Sequence, residues 1–166
     1  MLHLTICFAL FVAAASAEEN PKESKKQGEL PAEYAEVLTK ADHLELFSLE
    51  PHGKGKQEKL YGHPVLGSTA VKGDDRKSAV EAIHRTYREG NPNIGYFCFD
   101  PRHVVRARLG DRRVDFVICF ACCRMDVHEA GRESQSYAVG GKKEDTQAPL
   151  DKILKAAKVP LPPQDQ

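Results

Sequence analysis

The chain has 166 residues, room for one domain of ordinary size. Its 24 Lys and Arg are matched by 24 Asp and Glu, so it lacks the positive excess on which general nucleic-acid binding rests. Hydrophobic residues at 41% exclude wholesale disorder.

Residues 4–14 form an almost unbroken apolar run that ends in Ala15-Ser16-Ala17. Small residues at Ala15 and Ala17 fit the pattern cut by signal peptidase, and Glu18-Glu19-Asn20 turns abruptly polar. The run is too short for a membrane span. Residues 1–17 are therefore expected to be a signal peptide, and the remainder a secreted or periplasmic protein with no membrane span. Cys7 would leave with the signal. Cys98, Cys119, Cys122 and Cys123 would stay, and an exported chain makes disulfides the default expectation for them.

Residues 18–30 are polar and charged and read as a flexible leader. A single domain over 31–158 follows. Pro31 suits the first turn of a helix, and Tyr34, Val37, Leu38 and Ala41 give it one apolar stripe. Residues 43–50 read as a strand stopped by Pro51, 52–59 as a lysine-rich loop, and 61–71 as a second strand. The clearest helix starts at Asp74 or at Ser78, which forms a capping box with Glu81. Ala79, Val80, Ile83 and Tyr87 line its buried side, and Gly90 and Pro92 end it. Residues 94–99, 103–109 and 113–122 read as further strands, with 134–139 at an edge. Pro149 opens a last helix with Leu150, Ile153, Leu154 and Ala157 on one face. Residues 159–166 form a Pro-rich tail expected to be loose. Strands in succession with separate helices predict an α+β fold, an antiparallel sheet of about five strands with two or three helices against it.

A two-residue turn at Gly110-Asp111 sets a register. Ala107 then faces Val114, Val105 faces Phe116 and His103 faces Ile118, all towards the core. On the other side Arg106 faces Asp115, a favourable cross-strand charge pair. Continuing the ladder brings Cys98 opposite Cys123, or opposite Cys122 if Pro101 introduces a bulge. Arg102 falls opposite Cys119.

The segment Cys98-Phe-Asp-Pro-Arg-His103, followed by Ile118-Cys-Phe-Ala-Cys122, resembles a motif pair of a family of uncharacterised exported bacterial proteins. That pattern is C-F-x-P-R-H, a hairpin, then I-C-F-x-C. The likeness spans roughly residues 43–127. Val104 stands where the family often has Gly, Ala121 where it tends to have Glu, and Cys123 is an addition. The resemblance implies export and a shared fold, and carries no activity with it.

Three roles for the cysteines follow from the residues. The first is structural, a disulfide or buried thiols, with Cys98, Cys122 and Cys123 as candidates. The second is a zinc-type site of Cys98, His103, Cys119 and Cys122, with the C-x2-C spacing at 119–122. That site needs a kink near Ala121, because on a regular strand Cys119 and Cys122 face opposite ways. The third is thiol redox or hydrolytic chemistry, in which Arg102 would lower the pKa of Cys119 and His103 would act as base. No hydrolase elbow, phosphate loop or paired-carboxylate pattern marks an enzyme, and no cofactor other than zinc is expected. Arg102, Arg106 and Arg108 form a local positive excess that suits an anionic ligand or a solvated face.

Overall fold

A computed structural model describes residues 27–94 and 98–163. The expected signal peptide and residues 18–26 of the leader lie outside the described residues.

Among the described residues the fold is α+β, with three helices and seven antiparallel strands. Helix α1 (Ala32–Lys40) buries Tyr34, Val37 and Leu38, the expected stripe, and has Pro31 at its N-cap. Strand β1 (His43–Leu49) follows. The lysine-rich loop then leads to the short β2 (Lys59–Leu60) and to β3 (His63–Ala70). Helix α2 (Gly73–Arg88) starts ahead of both expected caps. Asp74 and Asp75 lie in its first turn, where acidic side chains complement the helix dipole.

Strands β4 (His103–Leu109) and β5 (Arg112–Cys119) form the expected hairpin. Their register pairs His103 with Ile118, Val105 with Phe116, Arg106 with Asp115 and Ala107 with Val114. Strand β6 (Arg124–Glu129), β7 (Gln135–Ala138) and α3 (Gln147–Ala156) complete the fold. The sheet order is β2-β3-β1-β4-β5-β6-β7, which puts β4 at the centre. The seven strands are broadly compatible with the expected five or so; β2 and β6 are the strands without a clear signal in the residues. The expected strand at 94–99 does not form at Ile94, Cys98 or Phe99, and its remaining residues lie outside the described ones.

One face of the sheet carries Leu44, Leu46, Val105, Ala107, Val114, Phe116, Ile118, Met125 and Val127. All three helices pack their apolar stripes on it, so this layer is the main core. The opposite face holds a smaller cluster of Phe47, Leu49, Val104 and Val117, covered by Leu60, Tyr61, Val65 and Phe99. That second cluster explains why β5 is apolar on both sides.

Both ends of the described chain contact the domain. Leu30 is buried, and the Gln27 amide donates to the Gly90 carbonyl. Over 159–163 the tail lies against the domain. The Val159 amide bonds the Leu154 carbonyl, Leu161 packs on the core, and the Arg102 guanidinium donates to the Pro163 carbonyl at 2.9 Å. Gly67 gives Val159 room, since a Cβ there would press on the valine side chain. No helix among the described residues is long and apolar enough to cross a membrane.

Candidate functional site

The cysteine cluster sits at the end of β5, where the chain turns into β6. Cys119 closes the ladder opposite Arg124 and is fully buried. Residues 120–123 then make a tight turn. The Cys123 amide bonds the Phe120 carbonyl, and Cys123 takes a left-handed backbone with φ 53°. This reversal is the kink that a C-x2-C pair needs, and it brings the Cys122 side chain back to Cys119. The two are joined in a disulfide with a Cα separation of 5.2 Å, inside the usual range of about 4.4–6.8 Å. The Cys122 amide also points at Cys119 Sγ, at 3.1 Å.

Cys98 arrives from a different segment. Residues 98–102 form no strand; Pro101 is buried and cannot donate to a ladder. The segment instead lies beside the turn, with the Asp100 amide 3.4 Å from Cys122 Sγ. Cys98 Sγ is 3.1 Å from Cys122 Sγ, although the two are 24 positions apart in sequence. Cys98 is exposed and carries a free thiol. Phe99 anchors the segment by joining the smaller apolar cluster, and the Arg124 guanidinium lies over its ring, 4.5 Å from the centroid. Arg124 is itself held by two hydrogen bonds to Asp126, at 2.8 and 2.9 Å.

The expected proximity of Cys98 to Cys122 is therefore present, but the bond goes elsewhere. Cys122 pairs with Cys119, and Cys98 stands against that bond as a third sulfur. Cys123 also remains a free thiol. The physical reason is the turn: four residues suffice to fold Cys122 onto Cys119.

His103 does not join the cysteines, so the expected Cys3His set is not assembled. The alternation along β4 turns its side chain into the main core, where Nε2 is 2.9 Å from an Asp151 carboxylate oxygen on α3. Phe120 meets the imidazole edge-on, with centroids 5.6 Å apart. Nδ1 is buried and has no hydrogen-bond partner among the described residues. The residue that does join Cys98 and Cys122 is Asp100. One donor atom from each of the three lies within 4.8 Å of the others. Asp100 sits between Phe99 and Pro101 with no spacing signal of its own, so only the folded segment reveals it.

The three arginines do not form a single anion site. Arg106 is bound through two hydrogen bonds to the buried Asp115, at 2.9 and 2.6 Å, and lies over Phe47. Arg102 is buried and engaged with the tail. Arg108 instead faces Arg113 across the hairpin. Asp115 also accepts from the Tyr61 hydroxyl at 2.7 Å. Tyr61 is stacked on His128 with centroids 4.1 Å apart. Burial, then the hydrogen bond and negative charge of Asp115, hold the Tyr61 phenol well above its ordinary range. Burial likewise pulls the His128 imidazole below its usual value, against the opposing charges of Asp126 and Asp115. This network is closed on itself and fastens the β2–β3 turn over the outer face.

No protein-family model, curated protein or solved structure matches this chain. The chemistry of the cysteine cluster thus carries the functional reading.

Proposed function

We propose that this is an exported α+β domain whose Cys98, Cys119 and Cys122 form a thiol–disulfide exchange site. One observation carries the proposal: the exposed Cys98 thiol lies 3.1 Å from the Cys122 sulfur of the Cys119–Cys122 disulfide. The apolar run at 4–14, the Ala15-Ser16-Ala17 ending and the likeness to exported bacterial proteins support export to an oxidising compartment.

In the exchange step the Cys98 thiolate attacks Cys122 Sγ. A Cys98–Cys122 bond forms, the Cys122–Cys119 bond breaks, and Cys119 leaves as a thiolate. No electrons enter or leave, since one thiolate and one disulfide become another thiolate and another disulfide. The Cys122 amide already aimed at Cys119 Sγ is placed to stabilise the leaving thiolate. Cys119 is closed to solvent and Cys98 is open to it. Cys98 is thus the sulfur that meets thiols or disulfides of other molecules; once the inner pair is reduced, the Cys122 thiolate attacks Cys98 Sγ of the mixed disulfide and the outside thiolate leaves.

A purely structural role fits this pairing less well. The Cys119–Cys122 bridge spans only three positions, and a bridge removes less freedom from the unfolded chain the shorter its loop. The test is to reduce the protein fully, remove the reductant and add oxidised glutathione, first with all three cysteines and then with Cys122→Ser. A glutathione adduct that accumulates on Cys98 only in the variant supports resolution by Cys122. Equal adduct in both proteins contradicts it.

A further inference from the structure

We propose that, once the Cys119–Cys122 disulfide is reduced, Cys98, Cys119, Cys122 and Asp100 hold one zinc ion. The proposal rests on the reading above that these cysteines pass between disulfide and thiol forms, and it adds a ligand to that site. The donor set is three thiolates and one carboxylate oxygen, which suits the tetrahedral preference of zinc.

Geometry supplies the argument. With Zn–S bonds of about 2.3 Å, a tetrahedral site has sulfurs roughly 3.8 Å apart. Cys98 Sγ and Cys122 Sγ are now 3.1 Å apart, and the donor atoms of Cys98, Asp100 and Cys122 fall within 4.8 Å of one another. Cys119 is bonded to Cys122 and so belongs to the same cluster. Reduction of the bridge frees the Cys119 and Cys122 sulfurs to move apart towards that spacing.

The backbone around the sulfurs is also arranged for thiolates. The Cys122 amide points at Cys119 Sγ and the Asp100 amide at Cys122 Sγ. Such N–H donors spread the negative charge of metal-bound sulfur. The turn over 120–123 presents the Cys122 amide to Cys119, and the 98–102 segment beside it presents the Asp100 amide to Cys122. His103 is excluded, because its Nε2 is committed to Asp151 in the core.

Formation of the site balances simply. A dithiol reductant gives two electrons and two protons to the Cys119–Cys122 bond and becomes a disulfide. Zinc then displaces one proton from each of the three thiols into solvent. Oxidation of the same sulfurs expels the metal, so zinc binding and disulfide formation exclude each other.

The test uses the purified protein, reduced by a phosphine without oxygen and then freed of it. Cobalt(II) is titrated in first, followed by zinc(II). The expected result is one cobalt per chain, with the visible bands of a tetrahedral ion and thiolate charge-transfer absorption, all lost when zinc displaces it. Cys98→Ser should weaken binding at least tenfold, Asp100→Asn should weaken it several-fold and shift the bands, and Cys123→Ser should change neither. Pale octahedral cobalt, or binding indifferent to Cys98→Ser, overturns the proposal. As a second readout, zinc should protect all three thiols of the reduced protein from alkylation; equal labelling with and without zinc also overturns it. Exchange is measured separately, in the oxidised protein without metal. Exchange without zinc binding removes only the zinc proposal, and zinc binding without exchange removes only the exchange reading.

Discussion

His103 and Asp151 meet inside the core, with Nε2 of the imidazole 2.9 Å from a carboxylate oxygen, and so tie the central strand β4 to helix α3. The Asp151 carboxylate also accepts from Gln147 at 3.2 Å. Burial by itself would raise the Asp151 pKa. The hydrogen bond from His103, its charge and the Gln147 contact outweigh burial and hold it below the usual carboxylate range.

The sign of the pH dependence follows. A carboxylate with a depressed native pKa stabilises the fold above its unfolded value of about 3.9, and that contribution fades as pH falls through the lower native value. Asp151→Asn should therefore flatten the acid limb of the stability curve below about pH 4. Near neutral pH the variant should lose about 2–4 kcal/mol, because it leaves a buried partner poorly matched. Chemical denaturation across the acid range checks both; an unchanged acid limb would contradict the linkage.

Asp115 is the hub of the outer face. It is fully buried and accepts from Arg106 twice and from Tyr61 once. Asp115→Ala should cost about 3–5 kcal/mol, since it leaves a guanidinium uncompensated. Tyr61→Phe removes one hydrogen bond and should cost about 1–2 kcal/mol. Urea unfolding of both variants gives the comparison, and a Tyr61→Phe loss equal to that of Asp115→Ala would refute the hierarchy.

Gly90 and Gly140 allow the end of α2 to lie directly on the end of β7 and the segment that follows it. A Cβ on Gly90 would collide with the Ala138 carbonyl, and one on Gly140 with the Glu89 carbonyl. The Gly140 amide bonds the Thr86 carbonyl, and the Thr86 hydroxyl donates to the Gly140 carbonyl. Gly140→Ala must therefore separate the two backbones and should lower stability by about 1–3 kcal/mol. A thermal scan showing no change would mean that the contact is looser than the structure gives it.

Much of this fold can be read from residue order alone, and the failures have physical causes. The β4–β5 register is legible because both faces of the hairpin agree on it: apolar pairs on one side, Arg106 with Asp115 on the other. Strand β6 is hard to see because nothing in Phe120-Ala-Cys-Cys123 signals a turn. The left-handed position there is held by Cys123 in place of Gly or Asn. Without that break, β5 reads through to Cys122 and the pairing of Cys119 with Cys122 looks forbidden. Cys98 near Cys122 is legible from the hairpin, whereas Asp100 enters the cluster only through the path of the segment before Pro101.

The exchange reading predicts a change of bridge. With Cys119→Ser, Cys98 and Cys122 should oxidise to each other. Their loop spans 24 positions against three for the present bridge. The loop-closure model gives the longer bridge an advantage of roughly 1–2 kcal/mol against unfolding. The stability gained on oxidation of the variant, set against the gain on oxidation of the unmodified protein, measures it by thermal unfolding; no gain on oxidation of the variant would contradict the assignment.

The most direct test of the central claim is disulfide mapping of the unmodified protein. Aliquots held between neutral and mildly alkaline pH are acid-quenched and digested without reductant. If Cys98 exchanges with the inner pair, peptides linked through Cys98–Cys122 appear beside those linked through Cys119–Cys122. Their share settles to a constant ratio faster as pH rises, while Cys123 stays free. If Cys98 is recovered only as a free thiol at every pH and time, the three sulfurs are neighbours without exchange and the claim is wrong.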